Sequence, residues 1–169
     1  MQASTTRDSQ SEMKEYFLKL YQYNAWADAR VMECLERQQV KDVKIVRIFG
    51  HLLSAQLIWY NRFKGLPKSP LPLWGDHSLS ELKSIATEAS RCWLSFVDEE
   101  DTFDRVLKYT NFVGDYYETN IRDLMTHLVN HCSYHRGQVA VLLRERGFEP
   151  VNTDFVTYDR IISGQLKET

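Results

Sequence analysis

Three of the chain's five histidines stand within nine residues, His127, His131 and His135, each four positions from the next. On an α-helix that spacing stacks side chains one turn apart along a single face. With His131 as origin and about 100° of rotation per residue, Leu124, Leu128, Gln138, Val139 and Leu142 cluster on the same side, whereas Arg122, Asn130, Arg136 and Arg144 point elsewhere. Imidazoles among core leucines need partners, since a buried polar group left unpaired costs about 1–3 kcal/mol. A metal ion satisfies several at once, and neutral imidazole is the commonest metal ligand. Histidines at i and i+4 supply two neighbouring positions on one ion, so a third ligand must come from a facing helix. His51 is the donor, on an inward stripe with Ile48, Ala55, Ile58 and Trp59. Three neutral nitrogens leave positions open for water or substrate, which is the arrangement of catalytic rather than closed structural zinc. The competing reading is of histidines merely hydrogen-bonded inside a core; inward placement on two helices favours metal.

Two other metal chemistries fail on the sequence. A di-iron carboxylate bundle needs Glu-x-x-His pairs, and none is present. A zincin needs His-Glu-x-x-His, but Cys132 follows His131 and no histidine precedes a glutamate.

The elements that must hold these residues are long helices. Ser9 with Glu12 fits a capping box opening a first helix to about Arg37, with Met13, Tyr16, Phe17, Leu20, Tyr23, Ala27, Val31 and Leu35 at helical spacing. A second helix, about Val43 to Lys64, ends at Gly65 and Pro67. The proline-rich stretch Gly65 to His77 is a long loop, and Ser78 with Glu81 opens a third helix ending near Val97. From Phe103 to Glu118, β-branched and aromatic residues around Asn111 and Gly114 predict two short strands or an extended excursion. Asn120 opens the fourth helix, which stops at Gly147; Asp154 caps one further turn in DFVTYDRII. Four amphipathic helices in one small domain make an all-α four-helix bundle. Residues 1–10 are expected as a flexible N-terminus, 11–162 as the metal-binding bundle and 163–169 as a flexible C-terminus.

Composition narrows the function classes. A net charge of −2 with 26% charged residues gives no basic cluster to neutralise phosphates, so nucleic acid is not the expected partner. No apolar run approaches the ~18 residues of a membrane span, and MQASTTRDSQ lacks the apolar core of a signal peptide. Cys34, Cys92 and Cys132 are odd in number and widely spaced, which argues against a disulfide framework. A reducing cytoplasm is the expected location.

The segments YNAWADARVMECL, HLLSAQLIWYNRF and HLVNHCSYHRGQVAVLLRERG resemble the DinB/YfiT family of metal-dependent enzymes, the damage-inducible bundle proteins rather than the polymerase of the same name. The resemblance runs from about Glu12 to Ile161. Its most specific part is N-H-x-x-x-H-R-G-Q, Asn130 to Gln138, joined to the isolated histidine of the second helix. It implies an up–down–down–up bundle, frequent homodimers, and a divalent ion on the positions matching His51, His131 and His135. Nickel or zinc is the ion implied first, with iron and manganese as alternatives. Relatives using low-molecular-weight thiols imply a small-molecule substrate and S-transfer or hydrolysis at the metal. A non-catalytic metal-binding stress protein is the alternative.

The remaining candidates keep two readings each. His127 supports or packs beside the ligands, with fourth ligand a lesser option, and His77 is solvated. As catalytic candidates, Tyr134 donates a proton or packs, Gln138 orients a ligand, contacts substrate or is a core amide, and Asn24 hydrogen-bonds across helices near the metal. Gly137 marks a close helix approach, Arg136 is solvated or at a dimer interface, with anion binding a lesser option, and Trp74 lids the pocket. Arg47 and Arg62, on the face of His51, meet an anionic substrate or snorkel to the surface. Cys132, turned 100° from His131, is no ligand. No carboxylate stands one turn away on the ligand stripe, and Glu145 lies more than two turns beyond His135.

Overall fold

A computed structural model describes the backbone of residues 2–168 and the side chains of residues 9–168. The elements run α1 (Gln2–Arg37), α2 (Val43–Lys64), α3 (Leu79–Glu99), β1 (Val106–Thr110), β2 (Tyr116–Asn120), α4 (Ile121–Glu145) and α5 (Phe155–Ile162). The ends are set by local chemistry. Asp42 accepts from the Lys44 and Ile45 amides at the start of α2, and Gly65 closes it in the left-handed conformation at φ 63°. Ser78 and Glu81 form the expected capping box on α3, and Asn120 accepts from the Arg122 amide to open α4. Two expectations change. The first helix begins at Gln2, upstream of Ser9 and Glu12, because no glycine or proline in residues 2–8 stops it. Asp154 precedes α5, but its side chain caps no amide. Of the expected flexible ends, Met1 and Thr169 lie outside the described residues.

Contacts between named side chains give the topology. Tyr21 stacks on Trp93 and Lys83 pairs with Glu36, so α1 and α3 are antiparallel. Trp93 Nε1 donates to the Gln56 carbonyl and Phe63 meets Phe96, so α2 and α3 are parallel. His51 meets His135 and Trp59 meets His127, which makes α2 and α4 antiparallel. The bundle is therefore up–down–down–up, with α1 and α2 each packing on both α3 and α4. One core cluster centres on Phe17, Trp93, Phe103 and Met125 and a second on Leu35, Phe49, Leu52 and Leu82.

This topology has a consequence for the histidines. Parallel α2 and α3 need a connection running back along the bundle, about 33 Å for a 22-residue helix. Residues 65–77 supply it, since an extended stretch of that length reaches roughly 40 Å. The crossover is thereby carried past the middle of α2, over His51. The two strands form an antiparallel hairpin at the other connection, with Val106 opposite Asn120 and Thr110 opposite Tyr116.

Candidate metal centre

The antiparallel faces of α2 and α4 bring His51, His131 and His135 together, with their ligand nitrogens all within 4.8 Å of one another. His131 Nε2 lies 3.3 Å from His51 Nε2 and 3.2 Å from His135 Nε2. Two nitrogens held by one tetrahedral ion at 2.0–2.1 Å would be about 3.3 Å apart. The spacing fits.

The outward nitrogens decide which protons are present. His51 Nδ1–H donates to the Leu73 carbonyl at 2.9 Å, and His135 Nδ1–H to Gln138 Oε1 at 2.8 Å. A carbonyl only accepts, so each of these neutral rings directs an unprotonated Nε2 inward. His131 Nδ1 is buried with no hydrogen-bond partner among the described residues. A proton on His131 Nε2 could serve one neighbour but not both. One ion serves all three, so the donor set suits a divalent metal.

Burial and neighbouring imidazoles favour the neutral forms of His131 and His51. His131 has its pKa pushed down to about 4, by burial first and then by His135, His51 and His127. Burial also lowers His51, against the raising effect of the Leu73 carbonyl.

Trp74, on the crossover, stacks on His51 with centroids 3.7 Å apart and planes 5° from parallel. The expected lid is thus a flat cover on one ligand, with 45% of the tryptophan still exposed. Beside the centre, a cavity of about 610 Å³ opens along Ile48, Tyr134, Gly137, Gln138 and Glu145.

The other sequence candidates divide. Gln138 reaches the triad through its hydrogen bond with His135 Nδ1. Tyr134 stands at the flank, its ring 5.1 Å from His135 and 65% exposed. His127 is exposed and outside the triad, its ring 5.7 Å from His131 and 6.3 Å from Trp59. Cys132 is buried, and burial pushes its thiol pKa far up, against any role as a thiolate ligand. Asn24 is not brought to the histidines; it bonds Gln56, Asp28 and Arg136 instead.

Three expectations are overturned. Arg136 is neither solvated nor at a surface: it is buried and pairs with Asp28 at 2.7 Å, because α4 packs on α1 as well as α2. Gly137 makes no close helix approach; a methyl there would meet nothing within 4 Å. The close approach belongs to Gly50, where a Cβ would come within 3.1 Å of His77 and 3.2 Å of Leu82. His77 is accordingly half-buried rather than solvated, its Nε2 without a hydrogen-bond partner among the described residues, and it seats the crossover against α2 beside His51. Sequence reasoning missed Asp28, Gln56 and the Leu73 carbonyl. A mid-helix glycine directly before a ligand was the available signal for Gly50.

The chain matches the model of the DinB family over residues 1–165. It is also similar to "Protein DinB" of Bacillus subtilis (strain 168), 24% identical over 163 residues that cover 86% of this chain and 95% of the relative.

Proposed function

The chain belongs to the DinB family, and on that footing we propose that it is a metal-dependent enzyme acting on a low-molecular-weight thiol or water at His51, His131 and His135. The carrying observation is the convergence of three Nε2 atoms, among which a single proton can serve one neighbour but not both. A divalent ion held there, nickel or zinc, lowers the pKa of a bound thiol or water and polarises an electrophile.

The chain's own residues do the rest. Leu73 and Trp74 fix the His51 ring, and Gln138 fixes His135. The cavity along Tyr134 and Gln138 receives the small molecule, with the Tyr134 hydroxyl at its margin. The triad gathers without a carboxylate, and Glu145 is exposed at the cavity's far end. A site lacking a general base favours the thiol, which gives up its proton more readily than water. S-transfer is therefore the reading preferred over hydrolysis.

The same reading has the protein working as a homodimer in a reducing cytoplasm. For the reducing compartment, the support is that all three cysteines are free and buried; among the described residues no helix is long and apolar enough to cross a membrane.

The test is thiol consumption with 1-chloro-2,4-dinitrobenzene as electrophile, across cysteine, cysteamine and glutathione. The proposal expects consumption by the metal-loaded protein and none by His135→Ala. Equal consumption by both overturns it, and an ion bound without consumption leaves the non-catalytic metal-binding reading.

A further inference from the structure

Five arginines, Arg91, Arg105, Arg122, Arg136 and Arg146, each form an ion pair with a carboxylate. Arg62 does not. Its guanidinium lies over Trp59, Phe112 and Tyr109, at 4.7, 5.0 and 5.4 Å from the ring centroids. Among the described residues its one hydrogen bond runs from Nη2 to the Thr110 carbonyl at 3.4 Å. Aromatic faces hold the plane of the guanidinium and leave most of its N–H edge unspent. Across the same ring stands a second cation, Lys68, with Nζ 5.9 Å from the Phe112 centroid. No ion pair is formed by either cation among the described residues. Two cations on one ring repel each other unless an anion lies between them.

Between them is a cavity of about 350 Å³, closed by α2, the start of the crossover and the hairpin turn. Arg62, Lys68, Ser69, Asn111 and Phe112 line it. We infer that this cavity is a binding subsite for an oxyanion, a carboxylate or phosphate, carried on a small molecule and held by Arg62 and Lys68. Burial lowers the Arg62 pKa, as expected for a cation held without its counter-ion.

Its position says what the oxyanion belongs to. Arg62 is eleven residues beyond His51, about 16 Å along α2 and within about 20° in rotation. Helical side chains lean toward the N-terminus, so Arg62 reaches back toward the histidines. Leu71 lines the cavity, and two residues on the same strand of chain brings Leu73 and Trp74 onto His51. The oxyanion is the far end of an elongated substrate whose reacting end lies at the histidines. This last step rests on the function proposed above; the subsite itself does not.

Isothermal titration separates the two. Succinate, glycerol 3-phosphate and the neutral succinamide are titrated into the wild-type protein, Arg62→Met, Lys68→Met and His51→Ala. At least one oxyanion is expected to bind the wild type while succinamide does not, and which one binds distinguishes carboxylate from phosphate. Affinity should fall about tenfold or more in each cation variant and stay unchanged in His51→Ala, whether or not the histidines hold metal. Lys68 is exposed, so its variant reads the site even if Arg62→Met unfolds. The inference is overturned if neither oxyanion binds, if succinamide binds equally, or if both cation variants bind as wild type. Loss of binding in His51→Ala overturns it too, since the oxyanion would then be a ligand of the histidine centre.

Discussion

His135 and Arg136 are neighbours on α4, yet they open onto polar clusters of opposite character. Arg136 Nη1 donates to Asp28 and Asn24 at 2.7 Å each, and Nη2 donates to Ser133 at 3.0 Å. Asp28 also accepts from Gln56 at 2.8 Å, and Gln56 accepts from Asn24 at 3.0 Å. Apart from Arg136 Nε, the donors find acceptors and the two charges offset each other. Such a network is closed within the chain at all but that one donor and does structural work. One residue earlier, His135 joins His51 and His131 in a cluster whose three Nε2 atoms converge, and one proton on His131 Nε2 cannot serve both neighbours. The difference teaches which polar cluster awaits a ligand: not the more buried one, but the one whose hydrogen bonds do not close.

The largest effect should come from opening the closed cluster. Arg136→Met leaves the Asp28 carboxylate buried without its partner, which costs about 3–5 kcal/mol. Urea unfolding of metal-free protein reads this, and His131→Ala should cost far less because its Nδ1 has no partner to lose. A loss under about 1 kcal/mol for Arg136→Met would remove the contrast.

Next is Gln138→Leu, which strips the acceptor from His135 Nδ1–H. Metal affinity should weaken by about 10–100-fold in competition with a chromophoric chelator, with the fold intact. An unchanged affinity would make Gln138 an ordinary core amide.

Acid should act on the open cluster through His131. Its folded pKa is about 4, against an ordinary histidine value of about 6.5. Between those values the unfolded chain binds more protons, so metal-free stability falls as pH drops from 6.5 toward 4. Burial of His51 acts in the same direction. The thermal midpoint followed across that window should show the slope, and His131→Asn should flatten it; an equal slope in both would place the titration elsewhere. The smallest effects belong to His127→Ala and His77→Ala. Both should retain the wild-type metal content in elemental analysis, and a loss in either would enlarge the ligand set.

Much of this was legible in the sequence because the signals are local. Asp42, Gly65, the Ser78–Glu81 pair and Asn120 mark helix ends within a few residues of themselves, and the triad follows from i, i+4 spacing plus an inward stripe. What failed needed knowledge of neighbours. A helical wheel centred on His131 allows one inward face, but α4 packs on two helices, so the pattern alone assigns the Arg136 face to the surface. Asp28 on α1 and Gln56 on α2 carry no motif until the bundle closes. The Leu73 carbonyl is backbone, invisible to any pattern of side chains. Gly137 drew the weight that Gly50 deserved, because both are mid-helix glycines beside a ligand and only packing tells them apart.

The most direct test is the metal content of purified, tag-free protein beside His51→Ala and His131→Ala. About one nickel, zinc or similar divalent ion per chain in the wild type, lost in both variants, is the expected result. A wild type that is metal-free and refuses added ions at neutral pH would contradict the account, leaving the histidines a feature of the core.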